Sequence, residues 1–255
     1  MVPGEEAPLI ARRDRTTERD RKGDMFFDPI YILFALPALL LSLYATVLIK
    51  SRFARYSQVE PYSGMTGAEA ARALLDQQGL RSVPVEEVGG FLSDHYDPSS
   101  RTLRLSPEVY RSSSLSAVGV ACHEAGHALQ HATGYMWLGL RTALVPATQF
   151  GSYLSYVILM LGFMLQHPSL IYFGIGLFSL GVVFSMVTLP VEWDASSRAR
   201  RLMVASGIVS PHEQEDAGKV LNAAFLTYVA AAVGALLTLL YYLWRAGLIG
   251  GRRDE

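Results

Sequence analysis

Thr142 to Val191 reads TALVPATQFGSYLSYVILMLGFMLQHPSLIYFGIGLFSLGVVFSMVTLPV, without one Asp, Glu, Lys or Arg. A bilayer core takes about 20 apolar residues of helix per crossing. The stretch is long enough for two crossings, and its polar break, Gln166-His167-Pro168, supplies the turn between them. Working outward, Pro29 to Ile49 and Val220 to Trp244 are also free of charge. The pattern predicts four transmembrane helices, near 29–49, 143–165, 169–190 and 221–244. Tyr241, Tyr242 and Trp244 cluster where the last one ends, as an interfacial aromatic belt would. A soluble protein with a buried helical core is the competing arrangement, and charge-free runs of this length argue against it. With 51% hydrophobic and 18% charged residues among 255, the chain is apolar for a soluble domain. Its formal net charge of -1 indicates no nucleic-acid partner.

The first apolar run is too long for a cleavable signal peptide and has no clear cleavage site after Ile49. Lys50, Arg52 and Arg55 instead read as a stop at the membrane surface, and Pro37 is tolerable inside a membrane helix. Residues 56 to 141 are polar enough to form a soluble segment. Thr66-Gly67-Ala68-Glu69 is a capping box opening the helix AEAARALLDQQ, with Gly79 as its stop. Val83 to Val88 and Thr102 to Leu105 read as strands separated by Asp97-Pro98-Ser99-Ser100. Pro107 opens a further helical turn, and the run Ser112 to Ser114 can cap the next helix. Such a module is too short to hold a large core alone, so the membrane helices are expected to complete its packing. Within it, Arg101 to Ser106 is expected to offer an exposed strand edge to an extended substrate.

The chemistry lies just upstream of the charge-free run. Ser116 to Gln130 reads SAVGVACHEAGHALQ and contains His123-Glu124-Ala125-Gly126-His127, an H-E-x-x-H motif. Residues four apart on a helix share one face, so two imidazoles there can grip one zinc ion. Glu124 can then act as general base on water made acidic by that ion. The small residues around the motif suit a tightly packed, buried helix. Two surface histidines beside a carboxylate would be the ordinary alternative, and a bare match needs structural context.

A catalytic zinc site usually has three protein ligands and an open position. If the predicted spans two and three form a hairpin, the chain returns to the motif's membrane face near Pro190, where Glu192 is the first ionisable group. His131 lies one turn beyond His127, but ligands at i, i+4 and i+8 span about 12 Å by helical rise, too far to share an ion. His95 and Asp194 remain open as candidates. Asp194 is placed either to orient an imidazole or to pair with Arg198 four residues on.

These residues carry a resemblance. Met25-Phe26-Phe27-Asp28-Pro29, TGAEAARALL, DHYDPSSRTLRLS, AVGVACHEAGHALQHA, LRTALVP and LPVEWDASSRA resemble the YugP-like family of neutral zinc metallopeptidases, which are membrane proteins. The resemblance runs from Met25 to the last span. It implies a gluzincin-like site that hydrolyses peptide bonds, with His123, His127 and Glu192 as zinc ligands and Glu124 as base. Related membrane gluzincins often carry E-x-x-A-D, whose Asp orients a histidine; here Ser196 stands in the last place, and Asp194 follows Glu192 by two. HEAGH is also the motif of membrane-anchored AAA proteases, but the G-x-x-x-x-G-K-[ST] loop they need is missing. Site-two proteases carry a later ligand within a span, and spans two to four here hold no carboxylate.

The expected architecture is mainly α: a four-helix transmembrane protein with a small α+β zincin-like catalytic module at the membrane surface. Residues 1–24 form a polar tail that reads as an upstream extension. Residues 25–50 hold the first span, 51–142 the soluble segment, and 143–190 the hairpin. An interfacial segment at 191–219 carries the third ligand, followed by the fourth span at 220–245 and a tail at 246–255. Lys50, Arg52, Arg55, Arg141, Arg198, Arg200, Arg201 and Lys219 fall on the motif's side of the membrane. That bias predicts a cytoplasmic site in a bacterial plasma membrane, against the basic tail at 1–24. The single Cys122 allows no intramolecular disulfide. Two function classes follow: a zinc endopeptidase acting on peptides or membrane proteins at the bilayer, and a non-catalytic membrane scaffold with a structural zinc site. An open fourth ligand position separates them.

Overall fold

The computed structural model describes residues 28–90 and 93–250. The predicted tail at 1–24, the Met25-Phe26-Phe27 part of the resemblance and the last residues of the C-terminal tail lie outside them. The chain is mainly helical. In order it forms α1 (Pro29–Tyr56), α2 (Gly67–Gln77), β1 (Val85–Glu87), β2 (His95–Asp97), β3 (Thr102–Leu105), α3 (Pro107–Tyr110), α4 (Leu115–Ala132), α5 (Met136–Met164), α6 (Pro168–Ala205) and α7 (Pro211–Arg245).

Helices α1, α5, α6 and α7 are long and apolar enough to cross a membrane. Helices α1 and α7 run side by side and are pinned at both ends. Asp28 caps α1 by accepting from Ile30 N–H, and its other oxygen accepts from Tyr241 and Arg245 at 2.8 Å each. At the far end the Tyr56 hydroxyl donates to Asp216 at 2.9 Å. Helices α5 and α6 form the hairpin. Gln166, at φ 52°, makes the turn, and Pro168 opens α6. At Gly162 a Cβ would lie 2.9 Å from Ile171 N, and at Gly174 one would lie 2.7 Å from Leu159, so the two helices touch through their glycines.

The apolar runs do not mark the helix ends. Helix α6 does not stop at Pro190 but continues to Ala205. Proline removes one ladder bond and crowds the preceding turn. Burial outweighs that here: Val191, Glu192, Ala195, Ser196, Ala199 and Met203 recur at helical spacing and pack inward. Helix α7 begins at Pro211, where Ser210 and Glu213 form a second capping box, well before the charge-free run. Segment 191–219 is therefore the end of α6, a short turn and the start of α7, rather than a separate interfacial element.

The α2 capping box forms as expected, with Thr66 accepting from Glu69 N–H, and Gly79 takes φ 76° beyond the helix. Ser114 caps α4. The sheet has the order β1-β3-β2, with β1 parallel and β2 antiparallel to β3. The expectation that Arg101 to Ser106 presents a free edge is wrong. Strand β3 is central, and the unpredicted β2 covers it. The core below the sheet joins Leu74 and Leu75 of α2, Leu103 and Leu105 of β3, and Val118 and Ala121 of α4. Ala199 and Met203 of α6 and Val220 and Leu221 of α7 complete it, so the long apolar helices supply part of the module's core.

One contact sets the angle between motif helix and hairpin. A Cβ on Gly126 would lie 2.7 Å from the Ala195 carbonyl oxygen, so α4 and α6 meet backbone to backbone. Gly126→Ala is expected to destabilise the protein by about 1–3 kcal/mol, because a packed helix pair cannot absorb the added carbon. Thermal unfolding of the metal-free protein measures this, and an unchanged midpoint would show that the contact is loose.

Candidate metal centre

Helix α4 carries His123, Glu124 and His127, and the Gly126 contact brings Glu192 of α6 across from them. Glu192 Oε2 lies 3.2 Å from His123 Nε2 and 3.7 Å from His127 Nε2. One ligand atom from each of the three residues falls within 4.8 Å of the others. Glu192 is only 2% exposed, and His127 is buried beside it. A buried carboxylate facing two imidazole nitrogens is costly unless a cation or proton compensates it. Burial works against a charged His127, yet the Glu192 and Glu124 carboxylates outweigh it and hold its pKa above the ordinary imidazole value. The donor set and its charge thus fit a divalent ion such as zinc.

The far nitrogen of each imidazole is also held. His127 Nδ1 lies 2.9 Å from Gln130 Oε1, so its proton sits on Nδ1 and Nε2 is left with a free lone pair. Gln130 in turn donates to the Val191 carbonyl at 2.8 Å and to Asp194 at 2.9 Å. His123 Nδ1 lies 3.1 Å from Ser196 Oγ. The serine in the last place of the E-x-x-A-D pattern therefore reaches the histidine itself. Asp194 does not touch an imidazole. Of its two anticipated contacts it makes the one to Arg198, at 2.6 Å, and it reaches His127 only through Gln130.

Glu124 accepts from the Tyr96 backbone N–H of β2 at 3.0 Å. Asp94, just before that strand, accepts from Ser106 N–H at 2.7 Å and fixes where β2 begins. Burial, with the Glu124 charge adding to it, raises the Asp94 pKa, against the hydrogen bonds from Ser106. Arg141 of α5 reaches the second Glu192 oxygen at 3.0 Å. Two cavities open beside the cluster. One, of about 480 Å³, lies between α1, α4, α6 and α7. The other, of about 210 Å³, lies under β2 and α5. Glu124, Glu192 and Tyr228 border both.

The remaining histidines stand apart. His131 bonds the Tyr96 hydroxyl at 2.9 Å, and His95 is exposed with Nδ1 on the Ser93 carbonyl. Sequence reasoning missed Gln130, Asp94, Tyr96 and Tyr228, and counted Arg141 only as a surface charge. For Gln130 a signal existed, since it follows His127 by three residues on one helix face. The others come from distant segments and had none.

A family described as "Putative neutral zinc metallopeptidase" matches residues 31–247, most of the chain, and the chain belongs to that family. It is similar to the "Putative membrane protease YugP" of Bacillus subtilis (strain 168), with 48% identity over 214 residues, covering 84% of this chain and 95% of that protein. No solved structure matches the chain.

Proposed function

We propose that this protein is a zinc-dependent peptidase that hydrolyses peptide bonds at the membrane surface, in a small zincin-like module. The observation that carries the reading is the buried His123-His127-Glu192 cluster with Glu124 beside it at the meeting of two cavities. His123, His127 and Glu192 would hold zinc, which when bound supplies Lewis acidity and brings water's pKa towards neutrality. Glu124 takes a proton from water as the water oxygen bonds to the carbonyl carbon. It hands that proton to the nitrogen as the C–N bond breaks, leaving a carboxylic acid and an amine. The Tyr96 N–H aims the carboxylate, and Ser196 and Gln130 keep the Nε2 atoms of the two imidazoles turned towards Glu192, where they would hold the metal. The sheet edge nearest Glu124 is β2, so an extended substrate would align along His95–Asp97 beside the Tyr96 N–H that Glu124 already holds.

A structural zinc site in a silent scaffold would be closed by a fourth protein ligand. The cavities reaching Glu124 and Glu192 favour the open, catalytic arrangement. The zinc-loaded chain in lipid should cleave an unstructured fluorogenic peptide, stop on chelation and resume when zinc returns. Zinc binding without cleavage across a diverse peptide library would leave the scaffold reading.

The site is assigned to the cytoplasmic face of a plasma membrane, on the basic residues that surround it. With Cys122→Ser as background, single cysteines at Ser99 and Ser169 test this on intact cells with an impermeant reagent. Ser169 should label and Ser99 should not; the reverse pattern puts the site outside.

A further inference from the structure

We infer that the substrates are membrane-anchored polypeptides whose apolar span lies in a trough beside α7, so that the bond offered to Glu124 is the one just beyond the span. This rests on the peptidase reading above and names its substrate class. A third cavity, of about 450 Å³, lies deeper among the four long helices. Three of those helices, α1, α6 and α7, also wall the large cavity at the metal cluster, through residues nearer the cluster. On α1 the lining residues step by four, Ala38 and Ser42 below, Thr46 and Lys50 above. On α7 they are Thr238, Gly234 and Ala231 below, Tyr228 and Ala224 above. One face of each helix thus borders both cavities, and Ala38 to Lys50 spans about 18 Å by helical rise. The trough exists because α1 packs along α7 while the hairpin packs on α7 through α6, leaving the space between α1 and the hairpin unfilled.

The lining chemistry points to a polypeptide. Ala231, exposed on α7, lets another backbone approach closely, as helix contacts in membranes require, while Ala38 and Gly234 close the α1–α7 contact beside it. The hydroxyls of Ser185 and Thr238 return to their own helix carbonyls. Those of Ser42, Ser152 and Tyr156, also in the deep cavity, bond to no other described residue. In hydrocarbon such groups have no water to turn to. A peptide backbone or hydroxyl can partner them, whereas an acyl chain cannot. Above, the chamber by Glu124 is walled by Phe53, Val120, Leu221 and Phe225, which suits a bulky apolar side chain at the end of a span.

The test uses the full chain, zinc-loaded, in phosphatidylcholine–phosphatidylglycerol vesicles. One probe is a single Leu/Ala span of about 20 residues ending in phenylalanine and an unstructured fluorogenic tail. The other is the tail with its phenylalanine alone. The anchored probe should be cleaved about tenfold faster or more at equal total concentration, through effective concentration. Ser42→Trp and Ala231→Trp, at exposed lining positions, should each bring that ratio towards one. Leu40→Trp, on the opposite face of α1, should not. A wild-type ratio of one, or a ratio untouched by both trough variants, overturns the inference. If wild type cleaves neither probe, the peptidase reading fails, and the trough is decided by capture. A photoreactive side chain at Ser42 in Glu124→Gln should crosslink the anchored probe; capture of phospholipid only would assign the trough to lipid and sink the proposal.

Discussion

Glu124→Gln should leave a folded, zinc-binding protein whose peptide hydrolysis is slower by about 10²–10⁴-fold, the usual contribution of a positioned base. The glutamine amide oxygen can still accept from Tyr96 N–H, so the link between α4 and β2 survives. What is lost is the capacity to take a proton from water and pass it to the departing amine. Measuring kcat beside zinc content on the same preparation separates chemistry from binding. A variant that cleaves at the native rate removes Glu124 from the mechanism.

Glu192→Ala should lose zinc by more than the roughly 10–100-fold that removing a hydrogen-bond partner behind a ligand costs. It deletes the one carboxylate that faces both imidazoles and leaves Arg141 without its partner at 3.0 Å. Zinc that binds only the folded state raises the unfolding temperature. Wild type should show that rise, and Glu192→Ala should show little of it. His131→Ala should keep both the metal and the rise, since that residue is held by the Tyr96 hydroxyl away from the cluster. Metal retained in the first variant and lost in the second would mean that the ligand set is wrong. The anchored-substrate inference stands or falls separately, because its trough residues lie well below the cluster.

Much of the long-helix framework was legible because hydropathy is a local, additive property. A charge-free run longer than the bilayer is thick admits few alternatives, and Pro168 after a polar pair marks a turn. The helix ends were not legible from hydropathy, because α1, α6 and α7 continue past the apolar runs into the module. Two signals for this were present in the sequence. Ser210-Pro211-His212-Glu213 is a capping box, and the inward residues from Val191 to Met203 keep helical spacing through charged surroundings. Strand β2 was missed because three residues cannot display a period, and its pairing with β3 depends on how the chain turns at Asp97 to Ser100.

By itself the sequence determined four helices able to cross a membrane and one helix face bearing His123, Glu124 and His127. Both follow from spacing along the chain: helix rise against bilayer thickness, and 3.6 residues per turn. Only the tertiary structure decided which partners those side chains meet. Helix α6 runs on through Pro190 and touches α4 at Gly126, and that crossing sets Glu192 against the two Nε2 atoms and Ser196 against His123. It also decided that β2, not β3, borders Glu124, and that a trough remains between α1 and the hairpin. Such contacts join segments about 30 to 70 residues apart through helix crossings and strand order, which no local pattern encodes.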